Sequence, residues 1–175
     1  MVLNKFRIEF DNISSSKITS VINDFNEFYK KSLKLVKELN GININNEVYI
    51  EYQIINPNTI EITSSIDKEH LIIFFNFGIY LGYFIYVMDN DISVGIISDH
   101  KNITIHKECS IFIQIGLPEA LFNISKSIKL EYNLSIKVIG NYEVPVCEIN
   151  GNLSPELLFY LGYQLPFEEG RLGHI

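Results

Sequence analysis

LIIFFNFGIYLGYFIYVM, residues 71–88, is a run of eighteen residues without a charge. Its mean hydropathy, 1.9, reaches the range of a membrane-crossing helix. Three features argue against a span. Asn76 lies inside the run, Gly78 and Gly82 interrupt it, and its flanks are acidic (Asp67 and Glu69 before it, Asp89 and Asp91 after it). The pattern instead predicts a buried helix that starts at an Asp67 cap and ends at Gly82. A strand over Tyr83–Met88 and a turn at Asp89-Asn90-Asp91 follow, with a return strand over Ile92–Ile97. No membrane contact is expected.

Upstream, Phe6-Arg7-Ile8-Glu9-Phe10 alternates apolar and charged residues, the two-residue period of a half-buried strand. Apolar residues from Ile18 to Leu39 then recur at steps of three and four. They predict an amphipathic helix over about Ser16–Leu39, stopped at Asn40-Gly41. Lys30, Lys31, Lys34 and Lys37 on its other face read as a solvated face near a favourable helix C-terminus. Glu47–Ile54 and Thr59–Thr63 both alternate, with the turn signal Asn56-Pro57-Asn58 between them. This hairpin is expected to turn Val48, Ile50, Tyr52, Ile54, Ile60 and Ile62 inward. Glu47, Tyr49, Glu51, Gln53 and Glu61 would face out.

Downstream, strands are expected around Ile103–His106 and Ser110–Ile115. A helix from Pro118 to about Tyr132 follows, with proline suited to its first turn. Leu134–Ile139 and Tyr142–Ile149 read as a second hairpin joined at Gly140-Asn141. The last helix starts at Ser154-Pro155 and is expected to end near Gly162. The four residues Tyr80-Leu-Gly-Tyr83 recur as Tyr160-Leu-Gly-Tyr163, each at the end of the last helix of its half. The order of elements repeats with them. The expectation is one globular domain over 1–175, α+β, with a mainly antiparallel sheet and packed helices. It suggests two similar βαββα halves, a pseudo-repeat over 1–90 and 105–170.

Composition narrows function by exclusion. Fourteen Lys and Arg face twenty-one Asp and Glu, a formal charge of −7. That balance disfavours a general nucleic-acid binder, which neutralises phosphates with Lys and Arg, and a polybasic membrane-surface protein. Thirty Ile and one Ala (Ala120) point to an AT-rich, bacterial genome, which discounts the high count of Asn. The five N-x-[ST] sequons carry no glycosylation expectation, because the N-terminal residues hold no export signal. A cytoplasmic location is expected, with Cys109 and Cys147 as free thiols.

No phosphate-cradling glycine loop, nucleophile elbow or zincin motif occurs. The densest collection of reactive side chains is Asp89, Asp91, Asp99, His100, His106 and Cys109. His100 and His106 are six apart, which fits neither the helical pair of a zincin nor a zinc finger. On a strand, His106 and Cys109 would point to opposite faces, so the imidazole would not reach the thiol. No metal, cofactor or catalytic residue is assigned. The leading expectation is a non-enzymatic protein that holds a basic protein partner on an acidic, aromatic-dotted surface. By analogy of class, this is an immunity or inhibitor protein for a co-encoded toxin. Tyr49, Glu51, Glu61, Asp89 and Asp91 are the expected contacts. The alternative is a small enzyme or ligand-binding module with a site around Asp99, His100 and His106.

Overall fold

The computed structural model describes residues 3–42, 48–88, 91–97, 107–126, 133–140 and 143–173. In order these form β1 (Leu3–Asp11), α1 (Ser15–Asn40), β2 (Glu51–Asn56), β3 (Thr59–Ser65) and α2 (Lys68–Met88). Then come β4 (Ser93–Ile97), β5 (Lys107–Gln114), α3 (Pro118–Ser125), β6 (Ser135–Ile139), β7 (Val146–Leu153) and α4 (Pro155–Arg171). The fold is α+β with two antiparallel sheets. The first runs β2-β3-β1-β4 and the second β5-β7-β6.

Residues 71–88 lie within one continuous helix, α2. α2 is buried on two sides because it serves two cores, and its exposed residues lie toward its C-terminal end. Ile73, Phe74, Phe77, Leu81 and Ile85 join the core under the first sheet. Leu71, Ile72 and Phe75 join the core of the second. A helix apolar all round is what such a position requires. It is long and apolar enough to cross a membrane, yet 56% of its most apolar window is buried inside the protein.

Two expected helix ends are corrected. α2 passes through Gly82 to Met88, so there is no strand over Tyr83–Met88. α4 passes through Gly162 to Arg171. β4 pairs with β1 instead of returning along the preceding segment. The reason lies in the contact between the two helices. A Cβ on Gly78 would stand closer than 3.0 Å to the Phe159 carbonyl oxygen. One on Gly82 would crowd Tyr163 O, and one on Gly162 would crowd Phe75 O. These glycines are the close-approach points of a helix crossing. Pro166, inside α4, packs its ring toward Gly82 and lacks the N–H that would bond one turn back.

The two halves share a topology. β1-α1-β2-β3-α2 and β5-α3-β6-β7-α4 have the same element order, and their sheets the same strand order, β2-β3-β1 beside β6-β7-β5. β4 is an addition to the free side of β1. The repeated Tyr-Leu-Gly-Tyr lies in α2 and α4, the helices that cross.

Local signals set the remaining boundaries. The Ser14 hydroxyl caps α1, accepting from Lys17 N at 3.3 Å, and Gly41 ends it with φ +61. Ser154 caps α4 in the same way, with Pro155 in its first turn. Asn40 joins the halves. Its amide accepts from Phe112 N at 2.8 Å and donates to Phe112 O at 2.9 Å, occupying a stretch of the β5 edge. Asn26 holds Ile50, just before β2, by the same pair of bonds. The expected strand at Ile103–His106, the extension of α3 to Tyr132 and the start of the second hairpin at Tyr142 lie outside the described residues.

Candidate functional site

The outer face of the first sheet carries most of the expected contacts that are described. On β1, Phe6, Ile8 and Phe10 are buried, while Lys5, Arg7, Glu9 and Asp11 are exposed. On β3, Ile60 and Ile62 are buried and Glu61 faces the other way. The register aligns Arg7, Glu61 and Gln53 in one cross-strand row, and Lys5, Thr63 and Glu51 in the next. Glu61 accepts from Arg7 Nε at 3.4 Å and stands 3.9 Å from Lys5 Nζ. Its side chain is only 17% exposed. Its charge is thus compensated within the sheet.

Tyr49 and Glu51 are exposed at the β2 edge. Beside them Ile55 is 37% exposed, and Ile54, expected to face inward, is 51% exposed. β2 is the outermost strand, covered by β3 from one side only. A register irregularity between Ile54 and Asn56 breaks the alternation there.

Asp91 sits at the opposite edge and end of the sheet. Its φ is +37, and its carbonyl accepts from Asn12 Nδ2 at 2.9 Å. This places it at the Asp11 corner, away from Glu51. A depression of about 340 Å³ opens there, lined by Glu9, Phe10, Asp11, Asn58, Ser93 and Gly95. Glu9 and Asp11, not among the expected contacts, are thus the acids of the acidic corner. The alternation of β1 already turned Glu9 outward, and one more step along it reaches Asp11. Asp89, Asp99, His100 and His106 lie outside the described residues.

One described constellation combines Ser, Asp and His. Ser65 Oγ is 3.0 Å from Asp67 Oδ2 and 2.9 Å from His70 Nδ1, and it accepts from Asp67 N at 3.3 Å. A carboxylate only accepts, so the hydroxyl donates to Asp67 and His70 Nδ1–H donates to the hydroxyl. The imidazole is then oriented as a donor, the reverse of a base that activates a nucleophile. Ser65 is also buried, at 2% exposure. The cluster organises the start of α2, where Leu71 N donates to Asp67 O. Burial raises the thiol pKa of both Cys109 and Cys147, which disfavours thiolate nucleophiles. No cluster of three or more His, Cys, Asp or Glu with metal-binding geometry occurs among the described residues.

A second surface was not foreseen. Between α1 and α2 lies a groove of about 540 Å³. Phe25, Tyr29 and Val36 of α1 and Asn76, Tyr80 and Phe84 of α2 line it, among others. Its rims are apolar and open. Phe28 is 57% exposed, Tyr83 38% and Val87 76%. Phe25 packs on Phe77 and Tyr80, with ring centroids at 5.4 and 5.5 Å. The Tyr83 hydroxyl donates to Glu169 Oε2 at 2.7 Å. Desolvation, then that bond and the nearby charge, push its pKa up to about 12. The sequence hides this groove, because a strand over Tyr83–Met88 breaks the helical stripe Asn76, Tyr80, Tyr83, Val87.

No protein-family model matches the chain, and no curated protein matches it either.

Proposed function

We propose that this chain is a non-enzymatic protein-binding protein that holds a basic protein partner on the outer face of its first sheet. The observation that supports this reading is the acidic corner around Glu9 and Asp11 on a face whose β1 side chains stand in solvent. A depression lined by two carboxylates, a hydroxyl and an amide suits a lysine or arginine side chain. The exposed Tyr49, Ile54 and Ile55 at the other edge supply apolar contact. Charge of one sign steers encounter, and a few buried anchors give affinity. The finer reading is an inhibitor or immunity protein, cytoplasmic and bacterial, that neutralises a co-encoded toxin.

The test is calorimetric titration with the basic product of the adjacent gene at low and high salt. The Glu9→Lys/Asp11→Lys variant should weaken binding about tenfold or more, and added salt should do the same. Glu61→Gln should change affinity little, because Arg7 and Lys5 already compensate that charge. Binding indifferent to salt and to both reversals would refute the reading.

A further inference from the structure

The groove between α1 and α2 is on other elements than the sheet face, and its chemistry differs. We propose that it is a second docking site, and that its occupant is a single amphipathic helix of a partner protein with an alternating charged flank.

Shape comes first. On α2, Asn76, Tyr80, Tyr83 and Val87 follow one another at steps of four, three and four. That is the spacing of a helix-packing seam, into which the side chains of another helix interlock. From Asn76 to Met88 the groove runs about 18 Å at 1.5 Å per residue, roughly three helical turns. A second copy related by a two-fold axis would set Lys17 against Lys31 and Asp24 against Asp24 along α1, like charges that repel. The groove is therefore matched to one helix of another protein, not to a second copy of the chain. Exposed rims at Phe28 and Val87 are what a helix lying in the groove would cover.

Charge then selects among helices. Along the α1 flank beside Phe28, Lys17, Asp24 and Lys31 recur every seven residues, and all three are exposed. Lys17 Nζ stands 5.6 Å over the ring of Phe84, which lines the groove. Asp24 and Lys31 neighbour Phe28 at one turn before and after. Residues that flank a helical seam at seven-residue intervals set partner choice by pairing across it. The complementary flank reads acid, base, acid at the same interval. On the far side of α2, Glu169 is held by the Tyr83 hydroxyl.

Two labelled peptides of about fifteen residues test this, each with leucines at the seam spacing. One carries Glu-Lys-Glu at seven-residue intervals on both flanks, the other Lys-Glu-Lys. Identical flanks make the result independent of binding direction. By fluorescence anisotropy the Glu-Lys-Glu peptide should bind about tenfold tighter than its reverse. The exposed-residue variant Lys17→Glu/Asp24→Lys/Lys31→Glu should invert that order. Phe28→Asp/Val87→Asp should abolish binding of both peptides. Equal binding, preference for Lys-Glu-Lys, or no binding of either overturns the proposal. So does a concentration-dependent dimer that Val87→Asp dissolves, since a second copy would then be the occupant. None of these outcomes touches the sheet-face reading, which rests on Glu9 and Asp11.

Discussion

Gly162 shows how much one missing atom controls in this protein. A methyl group there would meet the Phe75 carbonyl oxygen and come near Ile79 N, both backbone atoms of a buried helix that cannot swing aside. Overpacking of this kind costs about 1–3 kcal/mol, and Tm falls by about 2–4 °C per kcal/mol in a chain of this size. Gly162→Ala is therefore expected to lower Tm by several degrees. Gly95→Ala, in β4, has nothing within 4 Å of the new atom and should leave Tm close to the parent. Thermal melts of the two variants decide the matter. If they are equal, the crossing is not held by glycine. The same position explains a misreading. Glycine after an apolar helical run is an ordinary stop signal, and nothing local distinguishes a stop from a crossing. The recurrence of Tyr-Leu-Gly-Tyr was the one visible hint, because a stop has no need of matching neighbours.

At the scale of elements, the sequence was clearest where one face meets water. The alternation of β1 and β3, the long amphipathic α1 and the serine and proline starts of α1, α3 and α4 are patterns of half-burial, and they were readable. α2 was harder, since a helix packed on both sides loses the contrast that periodicity depends on. The acidic corner was half-readable. Glu9 and Asp11 show their direction in the alternation of β1, but their nearness to Asp91 depends on β4 pairing with β1. Asn40 was read only as part of a helix stop, whereas its amide substitutes for a neighbouring strand at Phe112. Removing it leaves a backbone N–H and C=O of β5 without those partners, in a part-buried place. Such a loss costs about 1–3 kcal/mol. Asn40→Ala should lower the denaturation midpoint in urea and speed amide hydrogen exchange at Phe112. Asn40→Asp, which keeps the acceptor and loses the donor, should retain the slow exchange of Phe112 N–H. Unchanged exchange in Asn40→Ala would mean that the β5 edge is held by something else.

At the scale of the whole molecule, α2 belongs to both cores, so neither half can lose its packing without exposing the other. High pH tests this. Burial pushes the Tyr163 hydroxyl up to about 12 from its usual value near 10, and burial raises Tyr29 further, with the Glu69 charge adding to it. A tyrosine with a raised pKa in the folded state keeps its proton where the unfolded chain has lost it. The unfolded state then binds fewer protons, so stability is intact below about pH 10 and declines as pH rises toward about 12. Both tyrosines belong to the core under the first sheet, whereas Cys147 is buried under the second. If the halves are one cooperative unit, the exposure of the buried Tyr29 and Tyr163 rings, followed by their NMR signals, and the loss of Cys147 protection must share one midpoint. A Cys109→Ser background removes the half-exposed thiol, so that alkylation reports Cys147 alone. Tyr163→Phe should shift both transitions to higher pH together, because it deletes a proton that the unfolded chain releases first. Exposure of Tyr29 and Tyr163 while Cys147 stays protected would show that the two sheets come apart separately and that α2 does not bind them into one structure.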